Sequence, residues 1–123
     1  MQINIFNKYR RLPLEKRKIV RLVKNILKAE KYKLNTVNII ITNDAYLKEL
    51  NKRFLKRNRT TNVISFNLDE ISEIYVAREK AASNNELYYC IIHGLLHIVG
   101  YDHRNNKENV LMDKRCLYYL SHC

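Results

Sequence analysis

Residues 84–103 read NNELYYCIIHGLLHIVGYDH, a largely apolar run that ends in glycine, tyrosine, aspartate and histidine. Its apolar composition predicts a helix from about Asn84 to Val99. Gly100 follows directly, and glycine readily takes the left-handed conformation that ends a helix. The stretch also holds three of the four histidines and both glycines of the chain. We therefore expect one buried helix, closed by a turn, to carry the chemistry of the protein.

Runs of β-branched residues and apolar residues at helical spacing predict the other elements. The predicted strands are Gln2–Phe6, Asn38–Thr42, Val63–Phe66 and Ile71–Ala77. The other predicted helices run from about Pro13 to Lys31, from a cap at Asn43 or Asp44 through Leu47, Leu50 and Phe54, and from about Asn106 to Leu120. The order βαβαββαα predicts an α+β fold, with helices packed on a small mixed sheet of about four strands. We expect a single domain over residues 1–123.

The chain is strongly basic. It has 23 Lys and Arg against 12 Asp and Glu, which gives a formal net charge of +11 and a pI near 9.7. Such a charge attracts polyanions, and nucleic acid is the first candidate. The alternative is a charge that serves only solubility. The composition, 46% hydrophobic and 28% charged, is typical of a globular protein and excludes a disordered one.

We expect a cytoplasmic protein that does not enter a membrane. No apolar run approaches the ~20 residues that span a bilayer. The opening sequence MQINIFNKYRRLP lacks the pattern of a secretory signal and has no lipidation motif. The cysteines, Cys90, Cys116 and Cys123, are odd in number and form no CxxC pair, which is typical of a reducing compartment.

The histidine spacing predicts a metal site at the end of the third helix. His93, His97 and His103 follow the pattern His-x3-His-x5-His. At 3.6 residues per turn, the first two lie about 40° apart on one helical face, where two imidazoles can share an ion at about 2.0–2.1 Å each. A turn at Gly100 can bring His103 to the same ion. Three histidine ligands leave a fourth position for water, which favours one catalytic zinc ion per chain.

Two alternatives stay open for these histidines. They can be core residues, or they can hold a structural zinc that a fourth protein ligand closes. Cys90, three residues before His93 on the same face, is the candidate for that ligand, although packing is the commoner role of a cysteine on a buried helix.

The residue after the first histidine excludes the usual zinc-protease mechanism. Zinc proteases with this histidine spacing place a glutamate there as the general base, but here the position is Gly94. The catalytic residue is therefore not identified by the motif. Asp102, next to His103, is a candidate for orienting a metal ligand without binding the ion itself. The alternative is that Asp102 is an ordinary residue of a surface turn.

At HGLLHIVGYDH the sequence resembles the YbeY family of bacterial endoribonucleases, also called rRNA maturation factors. The family signature is HGxLHLxGYDH, from which this stretch departs at Ile98. Leu50-Asn51 with TNVISF at residues 61–66 resembles the family block LN…T(D/N)VLSF. ISEIYV at residues 71–76 resembles its G(D/E)I-x-I strand, with Ser72 at the usual glycine. The resemblance spans about Val37 to Asp113.

The resemblance implies a fold, a cofactor and an activity. It implies a small mixed sheet with helices, and zinc held by His93, His97 and His103. It further implies cleavage of single-stranded RNA, with a part in ribosomal RNA maturation and ribosome quality control. The expected partners are therefore single-stranded RNA, ribosomal RNA and the ribosome, and the oligomeric state is not indicated.

Two departures from the family pattern concern the substrate. The family has an arginine in the segment YRGKD, four residues after the Asn of LN, and that position is Leu55 here. Arg53, Arg57 and Arg59 are the candidates to contact the same phosphate from a shifted register. The connections after Phe66 and before Glu86 are also shorter than in the family, which indicates a compact member.

The expected RNA contacts lie in a basic segment and one aromatic residue. The segment RFLKRNR, residues 53–59, contains Arg53, Lys56, Arg57 and Arg59, which suit a phosphate backbone. Tyr101 can stack on an unpaired base. The alternatives are a solvated charged face and a tyrosine packed on the sheet.

Three functions follow from these observations. The leading one is a zinc-dependent, single-strand-specific endoribonuclease that acts on ribosomal RNA. The second is another zinc hydrolase, such as a peptidase or an esterase, against which Gly94 and the net charge argue. The third is a non-catalytic RNA-binding assembly factor with a structural zinc, which predicts that metal removal unfolds the domain.

Overall fold

The computed structural model describes residues 1–7, 15–54, 62–81, 83–102 and 105–122, with Lys80 described by its backbone only. It confirms the predicted α+β fold and the order βαβαββαα. The strands are β1 (Gln2–Asn7), β2 (Thr36–Thr42), β3 (Val63–Leu68) and β4 (Ile71–Ala77). The helices are α1 (Lys16–Ala29), α2 (Asp44–Phe54), α3 (Asn84–Val99) and α4 (Asn106–Ser121), and a short 3₁₀ turn (Arg78–Lys80) follows β4.

The four strands form one mixed sheet in the order β1-β2-β4-β3. Strand β2 pairs in parallel with both β1 and β4, whereas β3 runs antiparallel to β4. The turn between β3 and β4 is tight, with Asp69 in the left-handed region at φ 64°. Strand β3 lies at one edge of the sheet, directly beside β4 of the parallel part.

Helices cover both faces of this sheet. The larger core lies between the sheet and α1, α3 and α4. A smaller cluster lies on the opposite face, where Leu47 and Leu50 of α2 pack with Ile64 and Ala77. The two faces follow from the alternation of side chains along β4, since Ile74 and Val76 enter the larger core while Tyr75 packs against the smaller cluster.

Most predicted boundaries agree with the structure within two residues. The predicted alternatives for the cap of α2 are resolved, because Asn43 Oδ1 accepts a hydrogen bond from Tyr46 N at 2.8 Å. The predicted start of α1 at Pro13 lies outside the described residues, as does most of the loop that precedes β3. No helix in the described part of the chain is long and apolar enough to cross a bilayer.

Ser72 is a local defect in the sheet. It is fully buried on β4, and its hydroxyl has no hydrogen-bond partner among the described residues. An unpaired buried hydroxyl costs about 1–3 kcal/mol. We expect Ser72→Ala to raise the free energy of unfolding by about 0.5–1 kcal/mol, measured by urea denaturation.

Ser83→Ala is the matched control for this prediction. Ser83 Oγ caps α3 by accepting from Glu86 N at 3.3 Å, so its loss is expected to lower stability by about 1 kcal/mol. If Ser72→Ala is less stable than the wild type, as Ser83→Ala is expected to be, the Ser72 hydroxyl does form a hydrogen bond.

Candidate metal centre

Helix α3 brings two of the three predicted metal ligands together. His93 and His97 lie one turn apart on α3, and both are half-buried. Their Nε2 atoms are 3.1 Å apart, and the ring centroids are 4.8 Å apart with the planes at 72°. The same nitrogen of each ring is thus close enough to its counterpart for both to reach one ion.

This arrangement fits a zinc ion. Two nitrogen ligands at 2.0–2.1 Å from a tetrahedral ion lie about 3.3–3.4 Å apart, close to the observed separation. His103 and Arg104 lie outside the described residues, so the predicted third ligand stays a prediction. Within the described ranges, no three His, Cys, Asp or Glu side chains are grouped as a metal site.

The opposite side of the His93 ring is packed against α4 and its own helix. Its Nδ1 lies 4.0 Å from Cys116 Sγ, and Tyr89 stacks on the ring at 6.2 Å between centroids. The Tyr89 hydroxyl donates to Asp113 of α4. Burial raises the pKa of Cys116 to about 12, so this thiol is neutral at physiological pH. These contacts fix the plane of the ring and leave Nε2 directed away from α4.

Cys90 belongs to the core. It is buried in the larger core, on the helix that carries the histidines. Burial, followed by the charge of Glu86, raises its pKa to about 11. A neutral buried thiol of this kind acts as a small apolar side chain.

Gly94 allows α3 to approach the sheet closely. A Cβ at this position would lie 2.7 Å from Ile74 Cγ2, 2.9 Å from Ser65 Oγ and 3.0 Å from Val63 Cγ2. Ser65 Oγ also donates to the Gly94 carbonyl at 2.8 Å, which links β3 to α3. Position 94 therefore faces the sheet and has no room for a glutamate. The missing general base of the protease motif has a steric explanation.

Gly100 ends α3 as predicted. Its φ of 123° lies in the region that favours glycine, although a Cβ there would meet no atom within 4 Å. Tyr101 N donates to Leu96 O at 2.9 Å, and Gly100 N donates to His97 O and Leu96 O at 3.1 Å. This capping pattern turns the chain back immediately after the second histidine.

The positive φ of Gly100 predicts that replacing this glycine lowers the stability of the protein. Any L-residue there would be forced into a left-handed conformation, which costs about 1–2 kcal/mol. We expect Gly100→Ala to lower the free energy of unfolding of the metal-free protein by that amount, measured by urea denaturation. An unchanged value would show that the turn relaxes to another conformation.

A polar cluster that the sequence did not predict lies directly beside this turn. Tyr101 donates from its hydroxyl to Glu30 Oε1 at 2.8 Å, and Arg115 Nη2 donates to Glu30 Oε2 at 2.8 Å. Tyr119 also donates to Glu30 Oε2. Burial raises the pKa of the Glu30 carboxyl, but the hydrogen bonds and the Arg115 charge outweigh it and hold the pKa below its usual value. The carboxylate is thus ionised at neutral pH.

The other predicted site residues are only partly described. Arg53 is exposed, and its Nε lies 3.6 Å from Glu49 Oε1 one turn earlier on α2. Leu55, Lys56, Arg57 and Arg59 lie outside the described residues. Asp102 is exposed, and it borders an open cavity of about 410 Å³ together with Tyr101, Glu30 and Glu108. The proximity of Asp102 to a metal ligand stays a prediction.

Comparisons with known proteins identify the family of this chain. The family model described as endoribonuclease YbeY matches residues 4–123. An endoribonuclease YbeY of Syntrophus aciditrophicus is 32% identical, over 99% of this chain and 91% of that protein. The enzyme of the same name from Petrotoga mobilis is 37% identical, over 89% of this chain and 85% of that protein.

A solved structure has the same fold. The solution structure of TM1509 from Thermotoga maritima superposes with a TM-score of 0.57 at 30% identity, covering 96% of this chain and 86% of that one. The matches extend over nearly the whole chain, on both sides of the histidine stretch from which the resemblance was first drawn. They confirm that resemblance and the expectation of an enzyme. The chain belongs to the endoribonuclease YbeY family.

Proposed function

We propose that this protein is a zinc-dependent, single-strand-specific endoribonuclease that acts in ribosomal RNA maturation and ribosome quality control. One zinc ion is held by His93, His97 and His103 in a single cytoplasmic domain of residues 1–123. The observation that carries the proposal is the 3.1 Å approach of the His93 and His97 Nε2 atoms in a chain of this family. Family membership favours this activity over the peptidase and esterase alternatives.

The residues around the proposed zinc ion have different roles. When bound, zinc supplies Lewis acidity, which polarises a phosphate oxygen and acidifies a water molecule. His93 and His97 bind through Nε2, while Tyr89 and Cys116 hold the plane of the His93 ring. Gly94 contributes no side chain, so proton transfer relies on groups outside position 94.

We propose that the positive charge that meets the substrate comes from the end of α2 and the residues that follow it. Arg53 is exposed there, and the basic residues Lys56, Arg57 and Arg59 follow it in the sequence. We propose that this segment contacts the phosphate backbone and supplies the guanidinium that position 55 lacks. Tyr101 keeps base stacking as its proposed role, through the ring face.

Helix α1 provides a second basic surface. Six of its fourteen residues are Lys or Arg, and none is acidic. They are Lys16, Arg17, Lys18, Arg21, Lys24 and Lys28. Cations near a helix N-terminus oppose the macrodipole, and like charges one turn apart repel, so this pattern lowers the stability of the helix. A polyanionic partner offsets both effects, which supports an RNA backbone along α1.

The salt dependence of RNA binding tests this surface. We expect the triple variant Arg17→Gln, Arg21→Gln, Lys24→Gln to reduce the slope of log K against log salt by about 2 for single-stranded RNA, since each lost phosphate contact removes about 0.7. The control triple changes Lys33, Lys107 and Lys114, which are exposed and do not belong to α1, to Gln. Equal slopes for the two triples would exclude a specific role for α1.

The activity itself is tested with labelled RNA. Wild-type protein is expected to cut a single strand and to spare the same strand in a matched duplex. Cleavage of both substrates at the same rate would contradict single-strand specificity. No cleavage of either, with RNA binding retained, would favour the third function, a non-catalytic assembly factor.

A further inference from the structure

The Glu30 cluster, which comprises Glu30, Tyr101, Arg115 and Tyr119, joins three parts of the fold beside the metal centre. Glu30 lies at the end of α1, Tyr101 follows α3, and the other two residues lie on α4. In addition to the three bonds to Glu30, Arg115 Nε donates to the Tyr101 hydroxyl oxygen at 3.4 Å. Arg115 Nη2 also donates to the Tyr119 hydroxyl oxygen at 3.5 Å.

The backbone fixes both ends of the bond between Tyr101 and Glu30. Glu30 N donates to Ile26 O at 2.9 Å, and Tyr32 N donates to Leu27 O at 3.0 Å across Lys31, whose φ is 56°. Tyr101 N is held by Leu96 O at the end of α3. The two residues therefore meet from the capped ends of two helices, and neither can shift without breaking a cap.

The ionised Glu30 carboxylate would be destabilising at this position without hydrogen-bond donors. Its side chain is only 8% exposed, and it lies at the negative end of the α1 dipole. The hydroxyls of Tyr101 and Tyr119 and the guanidinium of Arg115 compensate by donating to it. A buried carboxylate with several donors has one well-defined geometry, so the Tyr101 ring is held at its hydroxyl as well as at its backbone.

The consequence for the metal centre follows from chain length. His103 is two residues after Tyr101, and two residues of extended chain reach at most about 7 Å. Contacts that restrain Tyr101 therefore restrict the positions that His103, the predicted third ligand, can occupy. Preorganised ligands bind a metal more tightly because less conformational entropy is lost on binding.

We propose that Tyr101 is a positioning residue for the metal, and that the Glu30 cluster holds the turn from which His103 reaches the ion. This inference rests on the proposed zinc site. It assigns to Glu30, Arg115 and Tyr119 an effect on metal affinity that is exerted through Tyr101. None of the three contacts His93 or His97 in any bond described above.

The test is the zinc affinity of Tyr101→Phe, which removes the hydroxyl and keeps the ring. The dissociation constant is measured by competition with a chromophoric chelator, beside the unfolding midpoint of the metal-free protein. We expect a loss of about tenfold in affinity, within the range for residues that orient metal ligands, and a lower metal-free midpoint, because Glu30 loses one of its donors. Tyr119→Phe, which removes one donor from Glu30, is expected to lose about threefold.

Tyr118→Phe is the matched control, because this tyrosine neighbours Tyr119 on α4, is exposed, and makes no contact with Glu30 among those given for the cluster. Its zinc affinity is expected to equal that of wild type. His97→Ala provides the reference for a broken site.

Three results would overturn the inference while leaving the proposed metal site intact. Wild-type affinity in Tyr101→Phe would show that the hydroxyl does not position the turn. Equal losses of zinc affinity in Tyr101→Phe and Tyr119→Phe would show a purely structural role, because each variant removes one donor from Glu30. A loss of RNA affinity with unchanged zinc affinity would assign the hydroxyl to the RNA. Absence of zinc binding by the wild type would instead refute the proposed metal site, and the inference with it.

Discussion

His97→Ala is expected to weaken zinc binding by more than 100-fold and to abolish RNA cleavage to a similar degree. The His97 Nε2 atom lies 3.1 Å from its counterpart on His93, and the variant leaves one imidazole on α3 where two share an ion. Affinity is measured by chelator competition, and cleavage by the initial rate on a labelled single-stranded RNA. Both losses are expected in a protein whose circular dichroism spectrum is unchanged.

His122→Ala is the control for this experiment. His122 follows α4 and is exposed, and its Nδ1 lies 2.7 Å from the Tyr118 carbonyl oxygen. Because none of the contacts described for His122 reaches α3, its removal tests for unspecific effects of losing an imidazole. Purification of both variants beside the wild type also controls for contaminating ribonuclease, which would give equal rates in all three preparations.

Gly94→Ala is expected to lower the free energy of unfolding by about 2 kcal/mol. The added methyl group would overlap Ile74 Cγ2 and Ser65 Oγ, both inside 3.0 Å, so that α3 must move away from β3 and β4. For a domain of this size, such a loss lowers the thermal midpoint by roughly 6–10 °C. Movement of α3 also displaces His93, so zinc affinity is expected to fall with stability.

Whether Gly94→Ala lowers or raises the free energy of unfolding shows which of two effects dominates, the steric overlap with the sheet or the higher helix propensity of alanine. Alanine is about 1 kcal/mol better than glycine inside a helix, so propensity alone predicts that Gly94→Ala stabilises the protein. Asn85→Ala, at an exposed position in the first turn of α3, is the control for propensity without packing. A Gly94→Ala protein more stable than the wild type would contradict the close approach of α3 to the sheet.

The fold was predictable where local chemistry decides an element. Helix α3 runs over the predicted residues because its apolar run is bounded by a Ser83 cap and by Gly100. Strand β4 matches its prediction because the β-branched Ile74 and Val76 recur at every second residue on the face that enters the larger core. Strand β3 extends two residues beyond its prediction, to Leu68, because pairing with Ile71 is a tertiary effect that its own sequence does not encode.

The candidate site was predictable only in part. The spacing of His93 and His97 was sufficient to place both on one face, since one helical turn separates them. The Glu30 cluster was not predictable, because 71 residues separate Tyr101 from Glu30 and 89 separate Tyr119 from it. The role of Gly94 was likewise visible only once the sheet beneath α3 was known, although its place in the motif marked it as unusual.

The central claim is that a zinc ion on the α3 histidines is required for RNA cleavage, and a metal titration tests it most directly. Wild-type protein is stripped with a chelator, checked for retained secondary structure, and assayed on labelled single-stranded RNA while zinc is added. The account predicts no cleavage without metal and full recovery at one zinc per chain, with His97→Ala inactive throughout. Cleavage by the stripped protein at the rate of the loaded one would contradict the account.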